Sequence, residues 1–287
     1  MSAHHAGGAF AERFGPWALV AGASDGTGEA FAQEVAARGL DVVLLARRTE
    51  VLDELARSIR SDHGVRTAVI TADLTDPEIG VVVERGLDGR EVGLLVLNAG
   101  AVHGASHFLD RSLDDVLQLV DLNCRAPVTL VHLLGDPMRR RGHGGVIIMS
   151  SMAMAAGSAF NATYCATKSF EVILAEALWS ELQPLGVDVM SVIAGATDTP
   201  SMQASVDRWS DRDGVMDPTE LVVGALDHLG VGPSFVPGAD NRAAAQFLWP
   251  GSRVQRSQLL SEATASMYGF DHVQAEGRDY FEDPPPV

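Results

Sequence analysis

Short uninterrupted apolar runs alternate with amphipathic stretches along most of this chain. The runs are Trp17 to Ala23, Asp41 to Ala46, Thr67 to Thr71, Gly93 to Leu97, Val146 to Met149, Val187 to Ile193 and Ser234 to Val236. Runs of this length, bounded by Gly, Pro or Asn, predict strands buried on both faces. The stretches between them repeat apolar residues at helical spacing: Ala30, Phe31, Val35 and Ala36 between Gly28 and Arg38, and Leu52, Leu55, Ala56 and Ile59 between Glu50 and His63. Further helices are predicted from Pro77 to Leu87, Leu113 to Leu134, through Tyr164 to Leu182, and from Pro218 to Leu229.

Strand and helix alternating in this way predict right-handed crossovers and an α/β fold: one doubly wound parallel sheet of about seven strands with helices on both faces. No Pro/Gly linker or internal repeat divides it, so residues 15–238 are expected to form one domain. Residues 1–14, small and polar with His4 and His5, are expected to be a flexible lead, and residues 239–287 a helical extension with an acidic, proline-ended tail.

Composition narrows the partners. The chain has 287 residues, is 46% hydrophobic and carries a formal charge of −17, so its field repels nucleic acid and anionic membrane. With two cysteines, Cys124 and Cys165, no basic-then-apolar leader and no bilayer-length apolar run, a cytoplasmic protein of a reducing compartment is expected. His103 and His107 lack a Cys or acid at metal-ligand spacing, and no metal is expected. Cys165 reads as helix packing, since no histidine-containing activation motif accompanies it.

Candidate chemistry begins between the first strand and the first helix, where Gly22, Ser24, Asp25, Gly26, Thr27 and Gly28 form a Gly-x-x-x-Gly-x-Gly turn. Such a turn lets backbone N–H groups approach a pyrophosphate held at a helix N-terminus, which makes the fold Rossmann-type and the expected ligand a dinucleotide. At the tip of the second strand an acid would accept from the 2′-hydroxyl of NAD(H), whereas a basic residue suits the 2′-phosphate of NADP(H). The strand ends Ala46-Arg47-Arg48, which favours NADP(H); Asp25, a negative charge in the turn, points the other way and leaves NAD(H) possible.

Far downstream, Tyr164 and Lys168 stand four apart, on one face of a helix. A free phenol titrates near ~10, but a neighbouring ammonium favours the phenolate and makes the pair able to move protons.

With the glycine turn, Asn98-Ala99-Gly100 after the fourth strand, Ser151 and Tyr164-x-x-x-Lys168 in this order, the chain resembles the short-chain dehydrogenase/reductase family over residues 16–238. The resemblance implies that Tyr164 is the general acid/base, that Lys168 contacts the nicotinamide ribose, that Ser151, 13 residues before Tyr164, holds the substrate oxygen, and that Asn123 supports a water relay. It likewise implies cofactor contacts from Asp73 and Leu74 at the adenine, from Asn98, Ala99 and Gly100, from Gly195 and Thr197, and from Thr199 at the carboxamide. Three positions depart from the family pattern: Ala194-Gly195 for Pro-Gly, Leu97 for the first Asn of Asn-Asn-Ala-Gly, and Thr27 for Ile.

The implied activity is hydride transfer between NADP(H) and a ketone or aldehyde, giving an alcohol. Met202, Trp209 and Met216 in a substrate loop at about 199–217 read either as the apolar underside of that loop or as the lining of a pocket for a hydrophobic small molecule: an acyl chain, a steroid-like ring system or a xenobiotic carbonyl. Alternatives are an NAD(H)-dependent alcohol or hydroxysteroid-type dehydrogenase and a non-catalytic NADP(H)-binding sensor. Family members pair through the helices corresponding to those of Asn123 and Tyr164, so a homodimer or homotetramer is implied.

Overall fold

In the computed structural model, residues 3–100, 104–205 and 215–271 are described. Seven strands, β1 (Trp17–Ala21), β2 (Asp41–Ala46), β3 (Thr67–Thr71), β4 (Val92–Leu97), β5 (Gly144–Ser151), β6 (Val187–Ala194) and β7 (Ser234–Phe235), form one parallel sheet in the order β3-β2-β1-β4-β5-β6-β7. Between β1 and β4 the crossovers leave in opposite directions, which opens a crevice above the carboxyl ends of those strands.

Side chains alternate across each strand and divide the core in two. Ala18 and Val20 of β1 face a cluster with α2 (Gly26–Ala37), α3 (Thr49–His63) and α9 (Pro218–His228), in which Phe31, Leu52 and Leu221 are fully buried. Trp17, Leu19 and Ala21 face the other, with α4 (Ile79–Leu87), α6 (Ala126–Arg141) and α7 (Ala162–Leu182) supplying Ile79, Leu130 and Ala175. Each large side chain so buried contributes roughly 1.5–3 kcal/mol, which is why the apolar runs become strands regardless of their individual propensities.

Residues 3–14, expected to be a loose lead, form a helix instead, α1 (Ala3–Phe14). Phe10 and Phe14, one turn apart, pack with tilted rings 4.8 Å apart, Phe14 is 3% exposed in the first core cluster, and Arg13 pairs at 2.5 Å with Asp188 of β6. Burial of two aromatic rings overrides the weak helix propensity of the flanking glycines.

The long helix expected between Leu113 and Leu134 is α5 (Leu113–Val120) joined to α6 by a π-helical turn, Asp121–Arg125, and Asn123 lies in that turn. An extra residue in a helical turn re-aims its side chains, and such turns recur at functional sites.

After β6 the chain runs into α8 (Pro200–Ser205). Thr197 bridges Met216, with Met216 N donating to Ala196 O at 2.9 Å and Asp198 N to Met216 O at 2.9 Å, so the base of the expected substrate loop is pinned. His103, Trp209 and the tail from Glu276 lie outside the described residues.

The extension is helical as α10 (Ala239–Leu248) and α11 (Arg253–Tyr268). It packs on the segment between Ser151 and Tyr164: Ser158 Oγ and Thr264 Oγ1 are 2.9 Å apart, Ala159 N donates to Ser261 Oγ at 2.8 Å, and the Phe160 and Phe270 rings stack at 4.5 Å. No helix among the described residues is long and apolar enough to cross a membrane.

Candidate active site

The glycine turn and the turn after β4 are built against one another. Asn98 N and Ala99 N both donate to Ala21 O, at 3.0 and 2.9 Å, and Asn98 Nδ2 donates to Gly22 O at 3.2 Å. Gly22 has φ +86° and Gly26 φ +50°, backbone conformations that favour glycine. At Gly28 the constraint is room: a Cβ there would lie 1.9 Å from Gly22 O and 2.7 Å from Asn98 Nδ2.

Asp25 precedes α2 in extended conformation and makes no side-chain cap hydrogen bond, which leaves the helix's first N–H groups for an anion. Arg48 reaches back over the turn, its Nη2 donating to Ser24 O at 2.7 Å and standing 3.6 Å from Asp25 Oδ2. The acid and base that pointed to different cofactors are thus partners. Both Arg47 and Arg48 are exposed at the tip of β2. Arg47 lies 3.9 Å from Asp73, a carboxyl that burial pushes up but that Thr75's N–H and hydroxyl, at 2.9 and 2.8 Å, and Arg47's charge hold below its ordinary value. Leu74 beside it is buried.

Alternation along β5 separates its two terminal serines. Ser150 is buried and donates to Lys168 O at 2.8 Å, whereas Ser151 is half-buried and accepts from Ala153 N at 3.2 Å. Residue 151 therefore lies toward the crevice and 150 toward α7.

Tyr164, half-buried, lies in the first turn of α7, and Lys168 Nζ lies 5.7 Å from the centre of its ring. Lys168 is buried and donates to Met149 O at 2.8 Å and to Glu171 Oε1 at 3.1 Å. Gly100 approaches so closely that a Cβ there would lie 2.9 Å from Nζ and 3.8 Å from Asn123 Oδ1. Asn123 is fully buried; its Nδ2 donates to Thr167 Oγ1 at 3.0 Å, and its Oδ1 has no hydrogen-bond partner among the described residues. An orphaned buried acceptor beside an ammonium and a phenol is the environment of a bound water or ligand hydroxyl. Thus the structure brings Asn123, Tyr164, Lys168 and Gly100 together.

Thr199 closes the other side: a Cβ on Gly26 would lie 2.7 Å from its Cγ2. Gly195 is held for a reason absent from the motif, since a Cβ there would lie 2.0 Å from Asn241 Oδ1, and Thr197 is buried beside it. Asn241, fixed by its Nδ2 to Pro237 O at 2.9 Å, was not legible from the sequence because its contact is formed across the sheet edge. Glu171 was missed too, although its spacing from Lys168 on one helix face could have revealed it.

A depression lined by Trp17, Arg60, Arg66 and Arg90 lies at the amino ends of the strands, away from all these groups.

Residues 16–210 match the family model described as short chain dehydrogenase. The chain is 31% identical over 235 residues to a 7beta-hydroxysteroid dehydrogenase of Collinsella aerofaciens, covering 80% of this chain and 89% of that protein. It is 32% identical over 184 residues to inactive hydroxysteroid dehydrogenase-like protein 1 of Homo sapiens, covering 63% of this chain but 56% of that protein. A solved short-chain dehydrogenase from Sphingobium yanoikuyae in complex with NADPH is 30% identical with a TM-score of 0.72, covering 93% of this chain and 100% of that one.

Proposed function

This chain belongs to the short-chain dehydrogenase family of oxidoreductases acting between hydroxyl and carbonyl groups, and from that premise we propose an NADP(H)-preferring enzyme that reduces a bulky, apolar ketone or oxidises the matching alcohol. The observation that carries the reading is the convergence of Tyr164, Lys168 and Gly100. Gly100 leaves room for the ammonium, since a Cβ there would lie 2.9 Å from Nζ, and that ammonium is 5.7 Å from the centre of the Tyr164 ring.

In this reading the uncapped N-terminus of α2 and the Gly22–Gly28 turn hold the pyrophosphate, Arg47 and Arg48 the 2′-phosphate, Asp73 and Leu74 the adenine, and Asn98, Ala99 and Gly100 the dinucleotide's central stretch. Gly195, Thr197 and Thr199 border the nicotinamide end. The cofactor, when bound, supplies or accepts the hydride.

The chain's own groups handle the oxygen. Negative charge grows on that oxygen during reduction, and Ser151 and Tyr164 donate to it while Tyr164 passes its proton. Lys168 places positive charge beside the phenol, and the free Oδ1 of Asn123 anchors a water through which Tyr164 is reprotonated.

Apolar substrate preference is supported by Met202 and Met216 at the pinned base of the 199–217 loop and by the hydroxysteroid names of relatives. A non-catalytic reading has one observation in its favour, the human relative named inactive. The complete set of Asn123, Ser151, Tyr164 and Lys168 argues for turnover.

A panel of ketosteroids and bulky aryl ketones with NADPH tests this, read by loss of nicotinamide absorbance. Turnover is expected for wild type, and Tyr164→Phe is expected to lose roughly 100- to 10,000-fold, the range for removing a general acid. A wild type no faster than Tyr164→Phe on every substrate would leave the sensor reading standing.

A further inference from the structure

Lys168 is the chain's only lysine; its other 20 cationic side chains are arginines. Its side chain is 5% exposed, and the one acid paired with it among the described residues, Glu171, is 2% exposed. Glu171 stands one turn further along α7, with Oε1 accepting from Nζ at 3.1 Å and Oε2 2.9 Å from the same nitrogen. Oε2 is buried, and among the described residues the Lys168 ammonium is the cation beside it.

Such a pair is a poor stabilising device, because desolvating two charges costs as much as their attraction returns, and an apolar pair of similar volume would serve packing equally well. A buried lysine without a counter-ion sheds its proton, and its value falls by up to several units. At Lys168 burial does pull downward, but Glu171's charge and hydrogen bond, together with Tyr164 and Cys124, outweigh it and hold the ammonium above the ordinary lysine value.

We propose that Glu171 is a positioning residue for the proton-transfer site: it keeps the buried Lys168 charged and fixes its ammonium between Met149 O, Gly100 and the Tyr164 ring. The proposal rests on the catalytic reading of Tyr164 and Lys168. Geometry supports the division of labour. Two of the three N–H bonds of Lys168 are committed, to Met149 O and Glu171, and the third is left on the side of Gly100 and Asn123, where the cofactor cradle begins.

The titratable groups facing the pair are Tyr164 on α7 and Cys124 on the π-helical turn. The thiol of Cys124 is pushed up to about 11 by burial and by Glu171, so it stays neutral through the working range. From β5 come a carbonyl, that of Met149, and the hydroxyl of Ser150, neither of which titrates there. Burial pushes Glu171 itself up to about 7 against the pull of Lys168 and Ser150, so above neutral pH the pair is a true ion pair.

A chain with one lysine makes the test direct. Protein labelled at lysine with ¹³C and ¹⁵N gives a single side-chain signal, followed from about pH 7 to 10.5 without cofactor or substrate. In wild type the signal is expected to stay at its ammonium position; in Glu171→Gln it should move to the amine, its midpoint lower by at least about one pH unit. In parallel, the alkaline limb of the kcat/KM profile should move down with it, while kcat at about pH 6.5 stays within roughly threefold of wild type.

Identical lysine titrations in wild type and Glu171→Gln would overturn the proposal. Should Glu171→Gln fail to fold, Glu171→Asp replaces it: a midpoint below that of wild type supports the proposal, and a wild-type midpoint overturns it. Full turnover by Tyr164→Phe would sink the catalytic reading instead, an outcome the lysine signal does not share.

Discussion

Gly28→Ala tests whether the glycine turn is set by packing as much as by phosphate approach. The new Cβ would lie 1.9 Å from Gly22 O, where an ordinary carbon–oxygen contact needs roughly 3.3 Å, so α2 or the turn must retreat by more than about 1 Å. Neither side is soft. Gly22 O accepts from Asn98 Nδ2, and α2 carries Phe31 and Val35 into the core. Overpacking of this kind costs about 1–3 kcal/mol and the strained Asn98 bond about 1 more, giving roughly 2–4 kcal/mol. For a domain of this size that is a fall in Tm of roughly 5–12 °C. NADPH affinity should drop as well, because the retreat carries the helix N-terminus away from the pyrophosphate. Urea denaturation followed by circular dichroism measures the first, and NADPH fluorescence titration the second, with Thr27→Ala as the neighbouring control. A Gly28→Ala protein within about 0.5 kcal/mol of wild type would refute the packing argument.

If Arg48 holds the 2′-phosphate as proposed, Arg48→Ala removes a charge-assisted contact of about 1.5–3 kcal/mol and should weaken NADP(H) by roughly 10- to 100-fold while leaving NAD(H) nearly unchanged; equal losses for both would show that Arg48 serves only Ser24 and Asp25. Arg13→Ala leaves Asp188 buried without its partner. Burial already raises that carboxyl against the pull of Arg13, so the variant's carboxyl rises further. A raised carboxyl stabilises the fold below its unfolded value and loses that contribution as pH rises through its folded value, so the variant's deficit in urea melts, about 1–2 kcal/mol, should grow from pH 4 towards 7. Lys168→Met strands Glu171 and should abolish turnover. The same sign applies: with the lowering pull of Lys168 gone, the carboxyl moves above about 7, so the variant should melt near wild type at low pH and progressively lower as pH rises past neutral. A pH-independent deficit would refute the lowering of the Glu171 carboxyl by Lys168.

The strands were legible because each is an apolar run with nowhere to go but a sheet covered on both sides, and the glycine turn was legible because it falls between a strand and a helix. What could not be read was long-range. The helix at Ala3–Phe14 depends on a pocket for Phe14 and on Asp188, 175 residues downstream of Arg13, and no local pattern announces either. Asp25 and Arg48 seemed to disagree about the cofactor because sequence lists charges without their separation. At 3.6 Å they offset one another, and the acid's objection to a phosphate weakens. The π-helical turn at Asn123 carries no propensity signature, although it decides where that amide points. Glu171 was overlooked for the opposite reason: its spacing was plain, but a Glu on a helix is ordinarily solvated, and only burial on both sides makes it chemistry.

Strand register ties the cradle to the proton site. β5 pairs with β4 only as far as Ile148 but with β6 out to Ala194, so its last residues are held from one side and open toward the crevice on the other. That offset puts the Met149 carbonyl on Lys168, turns Ser150 into α7 and leaves Ser151 at the site. A slip of one residue would exchange the two serines and withdraw the carbonyl that helps hold the ammonium, even with every catalytic side chain retained. The pairing of Met149 with Val192 and of Ser151 with Ala194 is therefore as much a part of the candidate active site as Tyr164. Gly100 at the end of β4 meets the same ammonium from the opposite flank, so anything that shifts β4 against β5 should disturb cofactor binding and proton transfer together rather than one alone.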